Sequence, residues 1–157
     1  MRKLKIKTKK PRVPWNKTQI KEEKKIVKEY GLRRKKEIRS AQAILRNFRH
    51  RTRTLIAEND KEKEKILLDK LSRLGFIKGT KDLDSVLALN ITDILDRRIQ
   101  TIIYKKGMAK TALEARQIIT HGHVVIENRK ISFPSYIVPL EEEKRIAFHE
   151  NSPMRKR

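Results

Sequence analysis

The residues best suited to chemistry are His121 and His123, which flank Gly122 in the stretch TALEARQIITHGHVVI (residues 111–126). This spacing is compatible with a metal site, a catalytic pair or a helix end that binds phosphate. No third ligand stands at a recognisable spacing and cysteine is absent, which argues against a metal. No Gly-rich phosphate loop or strand–Ser–helix elbow occurs, so we predict no catalytic residue and no cofactor. A helix end that binds phosphate is the favoured interpretation.

The charge of the chain indicates which partner such a site would meet. The 157 residues include 41 Lys and Arg against 19 Asp and Glu, a formal net charge of +22 with an isoelectric point near 10.5. Residues 1–56 carry a net charge of +17, residues 57–96 carry −2 and residues 97–157 carry +7. Released counterions drive chains of this kind onto nucleic acid. We therefore predict two nucleic-acid surfaces joined by a structural segment.

Membrane and secretory signals are not visible in the sequence. The first ten residues, MRKLKIKTKK, lack the apolar core of a secretory signal, and no long apolar helix or lipidation motif occurs. Without cysteine there are no disulfides and no thiolate zinc site. We expect a soluble intracellular protein with no membrane partner, no bound metal and no small-molecule substrate.

Helical periodicity covers the N-terminal and middle parts of the chain. Asn16 or Thr18 is typical of a helix start, and Gly31 of a left-handed helix stop after Tyr30. Apolar residues at helical spacing predict the helices that follow. Their expected ranges are 34–57, 62–75, a short turn within 83–89, and one helix from residue 90 or 92 to Gly107.

The last third of the chain predicts a helix followed by a small sheet. Thr111 and Glu114 form a capping-box pattern for a helix that runs to about His121, with Gly122 as its cap. Asn128 suits the left-handed position of the following turn. The predicted strands are HVVI (123–126), KISF (130–133) and RIAF (145–148). The fold class is therefore α+β, with a predominantly helical N-terminal and middle region and a small C-terminal domain of helices packed on a short antiparallel sheet.

Two features of the basic N-terminal part predict specific contacts. Trp15 is the only tryptophan, and we predict that it anchors the arm onto a core, with base stacking as the less favoured alternative. Within residues 34–57, four arginines share a stripe beside the apolar one, where few acidic residues are available as partners. Phosphate contact is the favoured role of this stripe, which comprises Arg39, Arg46, Arg49 and Arg53.

Several short motifs occur together in the C-terminal part. They are Arg97-Arg98, Tyr104-Lys105-Lys106-Gly107, Lys110-Thr111, Glu114-Ala115-Arg116-Gln117, His121-Gly122-His123 and Pro134-Ser135-Tyr136. At this spacing they resemble the S4 RNA-binding domain, in particular that of the small-subunit ribosomal protein S4 family. The stretch PWNKTQIKEEKKIVKEYGLRRKKEIRSAQAILRNFR is similar to the archaeal type of that family. The resemblance covers most of the chain.

The resemblance implies a structural component of the small ribosomal subunit, and not an enzyme. Members of the family bind small-subunit rRNA at a helix junction of the 5′ domain and nucleate subunit assembly. The resemblance also implies a place beside ribosomal protein S5 near the mRNA entry region, and a contribution to translational accuracy in cytoplasmic ribosomes. The alternative is a non-ribosomal S4-domain factor in rRNA processing or assembly. The implied domains are a basic arm (1–15), a helical rRNA-binding and structural region (16–94), the S4 domain (95–150) and a basic tail (151–157).

Residue chemistry and resemblance together predict the RNA-binding side chains. Lys110 and Thr111 stand at a helix start, where free N–H groups attract phosphate. His121 and His123 can donate to phosphate or ribose hydroxyls, although His123 has packing against the sheet as an alternative. The residues predicted in the S4 domain are Arg97, Arg98, Lys105, Lys106, Lys110, Thr111, Arg116, Gln117, His121, His123, Asn128, Arg129 and Lys130. Those predicted in the N-terminal helices are Arg33, Arg34, Lys35, Lys36, Arg39, Arg46, Arg49 and Arg53. Accordingly, Arg116→Ala is expected to weaken RNA binding with thermal stability nearly unchanged.

Overall fold

The computed structural model describes residues 8–9, 11–77, 82–150 and 152–156. Over these ranges the chain forms eight α-helices, three β-strands and one 3-10 helix. In chain order they are α1 (Lys17–Glu29), α2 (Lys35–Glu58), α3 (Lys61–Arg73), α4 (Leu83–Ala88), α5 (Ile91–Asp96), α6 (Ile99–Lys105), α7 (Ala112–Thr120), β1 (Val124–Ile126), β2 (Arg129–Lys130), α8 (Leu140–Glu143), β3 (Ile146–Phe148) and the 3-10 helix (Pro153–Lys156). The predicted α+β class is confirmed.

Capping residues determine where the first helix begins and ends. The Asn16 side chain accepts hydrogen bonds from the backbone N–H groups of Thr18 and Gln19, so α1 begins at the residue after this cap. The helix stops before Gly31, whose φ of 57° lies in the left-handed region that glycine adopts readily. The bounds of α1, α2 and α3 agree with the predicted helices to within two residues.

The single helix predicted to run up to Gly107 is wrong, because the chain forms two helices here, α5 and α6. Between them the Ile99 N–H donates to the carbonyl oxygen of Tyr136 at 2.8 Å. The Val138 N–H donates to the carbonyl oxygen of Arg97 at 3.0 Å. The backbone at the break therefore bonds to the loop before α8 instead of continuing the helical ladder. Apolar spacing cannot reveal such a break, since the bonding partner lies far along the chain.

The sheet has the strand order β2-β1-β3, and both strand pairs are antiparallel. The first and third predicted strands are confirmed, but the second lies at Arg129–Lys130 instead of residues 130–133. The left-handed residue of the turn is Glu127, with a φ of 56°, and not Asn128 as predicted. Arg145, next to β3, forms an ion pair with the Glu127 carboxylate.

Buried apolar side chains form two clusters. The first lies among α1 to α5 and includes Ile38, Leu71 and Leu95. The second lies between α6, α7 and the sheet and includes Ile103 and Ile119. Each large apolar side chain contributes roughly 1.5–3 kcal/mol by leaving water. The helix α8 and the terminal 3-10 helix lie outside the predicted elements.

The two clusters meet at a corner between the end of α1 and the start of α7. Gln100 is 1 % exposed, and its Nε2 lies 3.1, 3.0 and 2.8 Å from the carbonyl oxygens of Tyr30, Gly31 and Ala112. A Cβ added to Gly31 would lie 2.9 Å from the carbonyl carbon of Ala112. Only glycine permits this approach, and the position of α7 relative to the N-terminal helices depends on it.

Candidate RNA-binding surface

Helix α7 begins with side chains that satisfy its first N–H groups. The Thr111 hydroxyl accepts a hydrogen bond from the Glu114 N–H at 3.1 Å. The Glu114 carboxylate accepts one from the Lys110 N–H at 2.7 Å, whereas a capping box would bond the N–H of Thr111 itself. The predicted start is therefore confirmed, with the reciprocal bond moved by one residue. Lys110 and Thr111 are both exposed.

Helix α7 ends in a left-handed cap that carries the two histidines. Gly122 has a φ of 72°, and the His123 N–H donates to the carbonyl oxygen of Ile118 at 3.1 Å. His121 is exposed and His123 is half-buried, with ring centroids 6.2 Å apart and planes inclined by 24°. The Lys130 side chain lies directly over Gly122, where a Cβ would clash with it. The histidines and Lys130 therefore share one patch at the end of α7.

The hairpin beside this patch exposes the remaining predicted residues. Asn128, Arg129 and Lys130 are all exposed. The Arg129 guanidinium lies 3.6 Å from the Glu142 carboxylate, but its side chain keeps 64 % exposure. The Tyr136 hydroxyl donates to Glu142 at 2.7 Å. Partial burial of the ring, and then this carboxylate, raise the pKa of Tyr136, so its hydroxyl stays protonated.

Three of the predicted arginines are instead engaged inside the protein. Arg98 is 6 % exposed, and its guanidinium donates to the Glu37 carboxylate at 2.6 Å. Arg116 reaches both oxygens of Glu37, at 3.1 and 3.2 Å. Arg97 donates to Glu143 at 2.7 Å and to the carbonyl oxygen of Val138 at 2.7 Å. Their prediction as RNA contacts has no support in this geometry.

Glu37 is the acidic residue that pairs with two of these arginines, Arg98 and Arg116. It lies in the first turn of α2, and its side chain is 19 % exposed between Arg98 and Arg116. Burial by itself would raise the pKa of Glu37, but hydrogen bonds and positive charge from both arginines bring the pKa below its ordinary value. The three residues form an ion cluster between the N-terminal helices and the C-terminal domain, and we call it the Glu37 cluster. Sequence pattern missed it, because the partners lie 61 and 79 residues apart along the chain.

The remaining predicted residues of the C-terminal domain are exposed. The Lys105 amine lies 2.8 Å from Asp96, and the Lys106 amine contacts the carbonyl oxygen of Glu143. Gln117 is exposed on α7. The predicted residues on and around α7 and the hairpin whose side chains are exposed or half-buried are called the α7 surface; they are Lys110, Thr111, Gln117, His121, His123, Asn128, Arg129 and Lys130.

The basic residues of the N-terminal helices divide in the same way. Arg49 is half-buried and donates to the carbonyl oxygen of Leu89 at 2.6 Å, and Arg39 is also half-buried. Lys35 is exposed but lies 3.2 Å from Glu23. The exposed residues without a described acidic partner are Arg33, Arg34, Lys36, Arg46 and Arg53.

Trp15 does not anchor the arm, so that prediction is wrong. Its side chain is 86 % exposed and packs on neither apolar cluster.

Within the described residues, no group of three or more His, Cys, Asp or Glu could hold a metal ion. Over the same ranges, no helix is long and apolar enough to cross a bilayer.

Comparison with known proteins identifies the family. The S4 domain model matches residues 97–144. The small ribosomal subunit protein uS4 of Ignicoccus hospitalis is 47 % identical over 91 % of this chain and 88 % of its own length. The uS4 proteins of Sulfolobus acidocaldarius (45 %, 98 % of this chain and 90 % of its own) and Methanothermobacter thermautotrophicus (43 %, 93 % and 87 %) are similar along nearly their whole length. None of the three is named as an enzyme. The predicted resemblance is confirmed: the chain belongs to the small ribosomal subunit protein uS4 family.

Proposed function

We propose that this protein is a structural component of the small ribosomal subunit in cytoplasmic ribosomes, where it binds small-subunit rRNA. The observation that carries the proposal is the α7 surface, where the start of a helix, its histidine-bearing end and a basic hairpin are exposed together. Relatives named as small ribosomal subunit proteins along nearly the whole chain support it. No catalytic step is part of the role.

The α7 surface suits the backbone of RNA more than its base edges. Lys110, Arg129 and Lys130 supply charge for phosphates, and Gln117 and His121 supply N–H donors for phosphate or ribose hydroxyls. Backbone contacts make binding depend on shape and salt concentration. Arg97, Arg98 and Arg116 are left out of this surface because internal carboxylates engage them.

A second surface is proposed on the N-terminal helices. Arg46 and Arg53 lie two turns apart on α2 and are exposed, and Arg33, Arg34 and Lys36 are exposed around the start of the same helix. With both surfaces occupied, the protein would bridge separate RNA helices. We further propose that the rRNA site is a helix junction of the 5′ domain and that the protein binds it early in subunit assembly. In the same proposal the protein lies beside ribosomal protein S5 near the mRNA entry region and contributes to translational accuracy. The proposal also includes the division into an arm (1–15), a helical region (16–94), an S4 domain (95–150) and a tail (151–157).

Sedimentation of a cell lysate with a high-salt wash tests the cellular role. We expect stoichiometric protein in small subunits and in translating ribosomes after the wash. Presence only in free or precursor particles would overturn the structural role and favour an rRNA processing or assembly factor with the same fold.

A binding experiment tests the second surface. Arg46→Gln with Arg53→Gln should reduce the slope of log affinity against log salt by up to about two units on a transcribed 5′-domain rRNA fragment. The control is Lys61→Gln with Lys65→Gln on α3, which removes the same charge from two exposed residues of a nearly neutral segment. Equal slopes for the two double variants would exclude the arginines of α2 from the contact.

A further inference from the structure

Trp15 packs on no apolar cluster among the residues that the structure describes. It is 86 % exposed, and Val13, two residues earlier, is 63 % exposed. Tryptophan has a large apolar ring system that proteins normally bury or place at an interface. Among the described residues none covers this indole, so its contact partner is to be sought outside the folded chain.

The exposed indole is held close to a well-defined helix start. Pro14 precedes it and has a fixed φ, which also restricts Val13 to an extended conformation. Asn16 follows it, and the Asn16 side chain bonds the N–H of Thr18 at 3.1 Å and the hydroxyl of Thr18 at 2.6 Å. The backbone on both sides of Trp15 is therefore restricted before any partner binds, which reduces the backbone entropy lost on binding.

The charge around Trp15 identifies the class of partner. Residues 1–21 contain nine Lys and Arg and no Asp or Glu. The first turn of α1 has no acidic residue either. The segment of chain that carries this indole therefore has only positively charged side chains, which favours a polyanion with a flat apolar surface of its own. An RNA strand with an unpaired base has both properties, since phosphates meet the arm and the base meets the ring.

We propose that Trp15 is a stacking platform for an unpaired base of the bound RNA, with the adjacent exposed Arg12 and Lys17 on the flanking phosphates. This inference rests on the proposed rRNA binding and adds a base contact to a role that otherwise consists of backbone contacts. The α7 surface and the arginines of α2 position the protein, while Trp15 requires a single-stranded nucleotide at one place.

Trp15 reports on its own contact because it is the only tryptophan in the chain. The full chain is titrated with a labelled transcript of the 5′-domain rRNA, and RNA anisotropy and tryptophan emission are recorded in the same samples. We expect the emission to be quenched in step with binding. Trp15→Ala should weaken binding on the order of tenfold, and Trp15→Phe should retain most of the affinity because a phenyl ring also stacks.

The matched control is Ile66→Ala, which truncates another exposed apolar side chain, 69 % exposed, in the nearly neutral middle segment. It should leave the affinity unchanged. Circular dichroism of all variants should match that of the wild type, because neither side chain is part of a core.

The outcomes separate this inference from the proposed function. Normal RNA affinity with unchanged emission, and with an unaffected Trp15→Ala variant, would overturn the stacking contact and leave rRNA binding intact. A blue shift without quenching would place the indole in an apolar pocket and also overturn the proposal, as would equal losses for Trp15→Phe and Trp15→Ala. Absence of wild-type binding to the transcript would contradict the proposed function itself.

Discussion

Arginines of one predicted set lie in opposite environments at the two ends of the C-terminal domain. At the corner with the N-terminal helices, Arg98 and Arg116 both bond to Glu37, and Arg98 is 6 % exposed. At the hairpin end, Arg129 keeps 64 % side-chain exposure, and Lys130 lies over Gly122 in the open. The comparison indicates that a basic side chain stays available to a partner where the fold leaves it exposed, even when an acidic residue such as Glu142 lies nearby.

The Glu37 cluster also explains how the two proposed surfaces keep a fixed relation to each other. Glu37 belongs to α2, which carries the exposed arginines, while Arg116 belongs to α7, which carries the Lys110 end of the other surface. Buried ion pairs add little net stability over apolar packing but can specify one arrangement. We infer that the cluster specifies how the C-terminal domain sits on the N-terminal helices.

The largest effect is expected from removing the charge of Glu37. Glu37→Gln leaves Arg98 buried without a counter-charge, so the free energy of unfolding should fall by about 3 kcal/mol. Urea denaturation followed by circular dichroism measures it. The matched control is Glu22→Gln, which makes the same change at an exposed position of α1 and should have almost no effect. Equal losses in the free energy of unfolding of the two variants would show that the Glu37 cluster does not stabilise the fold.

A smaller loss should follow from adding one methyl group at the corner. Gly31→Ala introduces a Cβ 2.9 Å from the backbone of Ala112 and must adopt a φ of 57°. We expect a loss of about 2 kcal/mol, of which the left-handed conformation accounts for about 1 kcal/mol. Gly107→Ala isolates that conformational part, because its φ is 72° and nothing lies within 4 Å of the added carbon. If both variants lost the same stability, close approach at Gly31 would not matter.

Lowering the pH should remove part of the contribution that Glu37 makes to the free energy of unfolding. Arg98 and Arg116 hold the pKa of Glu37 in the folded chain below its ordinary value, so the carboxylate stabilises the fold at neutral pH and loses this effect as the pH falls through the folded-state pKa. The difference in unfolding free energy between wild type and Glu37→Gln should be constant above about pH 5.5 and shrink below about pH 4. Urea titrations at a series of pH values measure it, and a constant difference down to pH 3 would contradict the linkage.

The smallest effect on stability is expected on the exposed surface. Lys110→Ala removes a cation whose amine has no described acidic partner, so stability should not change. RNA affinity should fall a few-fold, with the salt slope reduced by up to about one unit. Lys144→Ala is the control, an exposed lysine of the same domain outside the proposed surface. Affinity equal to that of the control would remove Lys110 from the surface.

Arg116→Ala tests the arginine side of the Glu37 cluster. The expectation of nearly unchanged thermal stability is revised, because the side chain bonds both oxygens of Glu37. We now expect a loss of about 1–2 kcal/mol, since a hydrogen bond between charged groups contributes about that much. Thermal unfolding of this variant beside Lys110→Ala measures the difference between an internal and an exposed cation. Equal melting temperatures would contradict the revision.

Local chemistry was enough to predict most of the elements. Asn16 and Thr111 began helices, Gly122 ended one, and the apolar stretches 123–126 and 145–148 became strands. These features depend on neighbours a few residues away in the chain, so the local sequence pattern is enough to predict them. The family followed in the same way, from motifs whose combined spacing is specific.

Burial, pairing and long-range bonds were decided only by the tertiary structure. The break between α5 and α6 comes from bonds to Tyr136 and Val138, and the internal role of Arg98 comes from Glu37. Net charge, helix ends and a basic arm with an aromatic ring were already determined by the amino-acid sequence. Which cations face solvent was not, because the energy of a charged side chain depends on the residues packed around it, and those are distant in the chain.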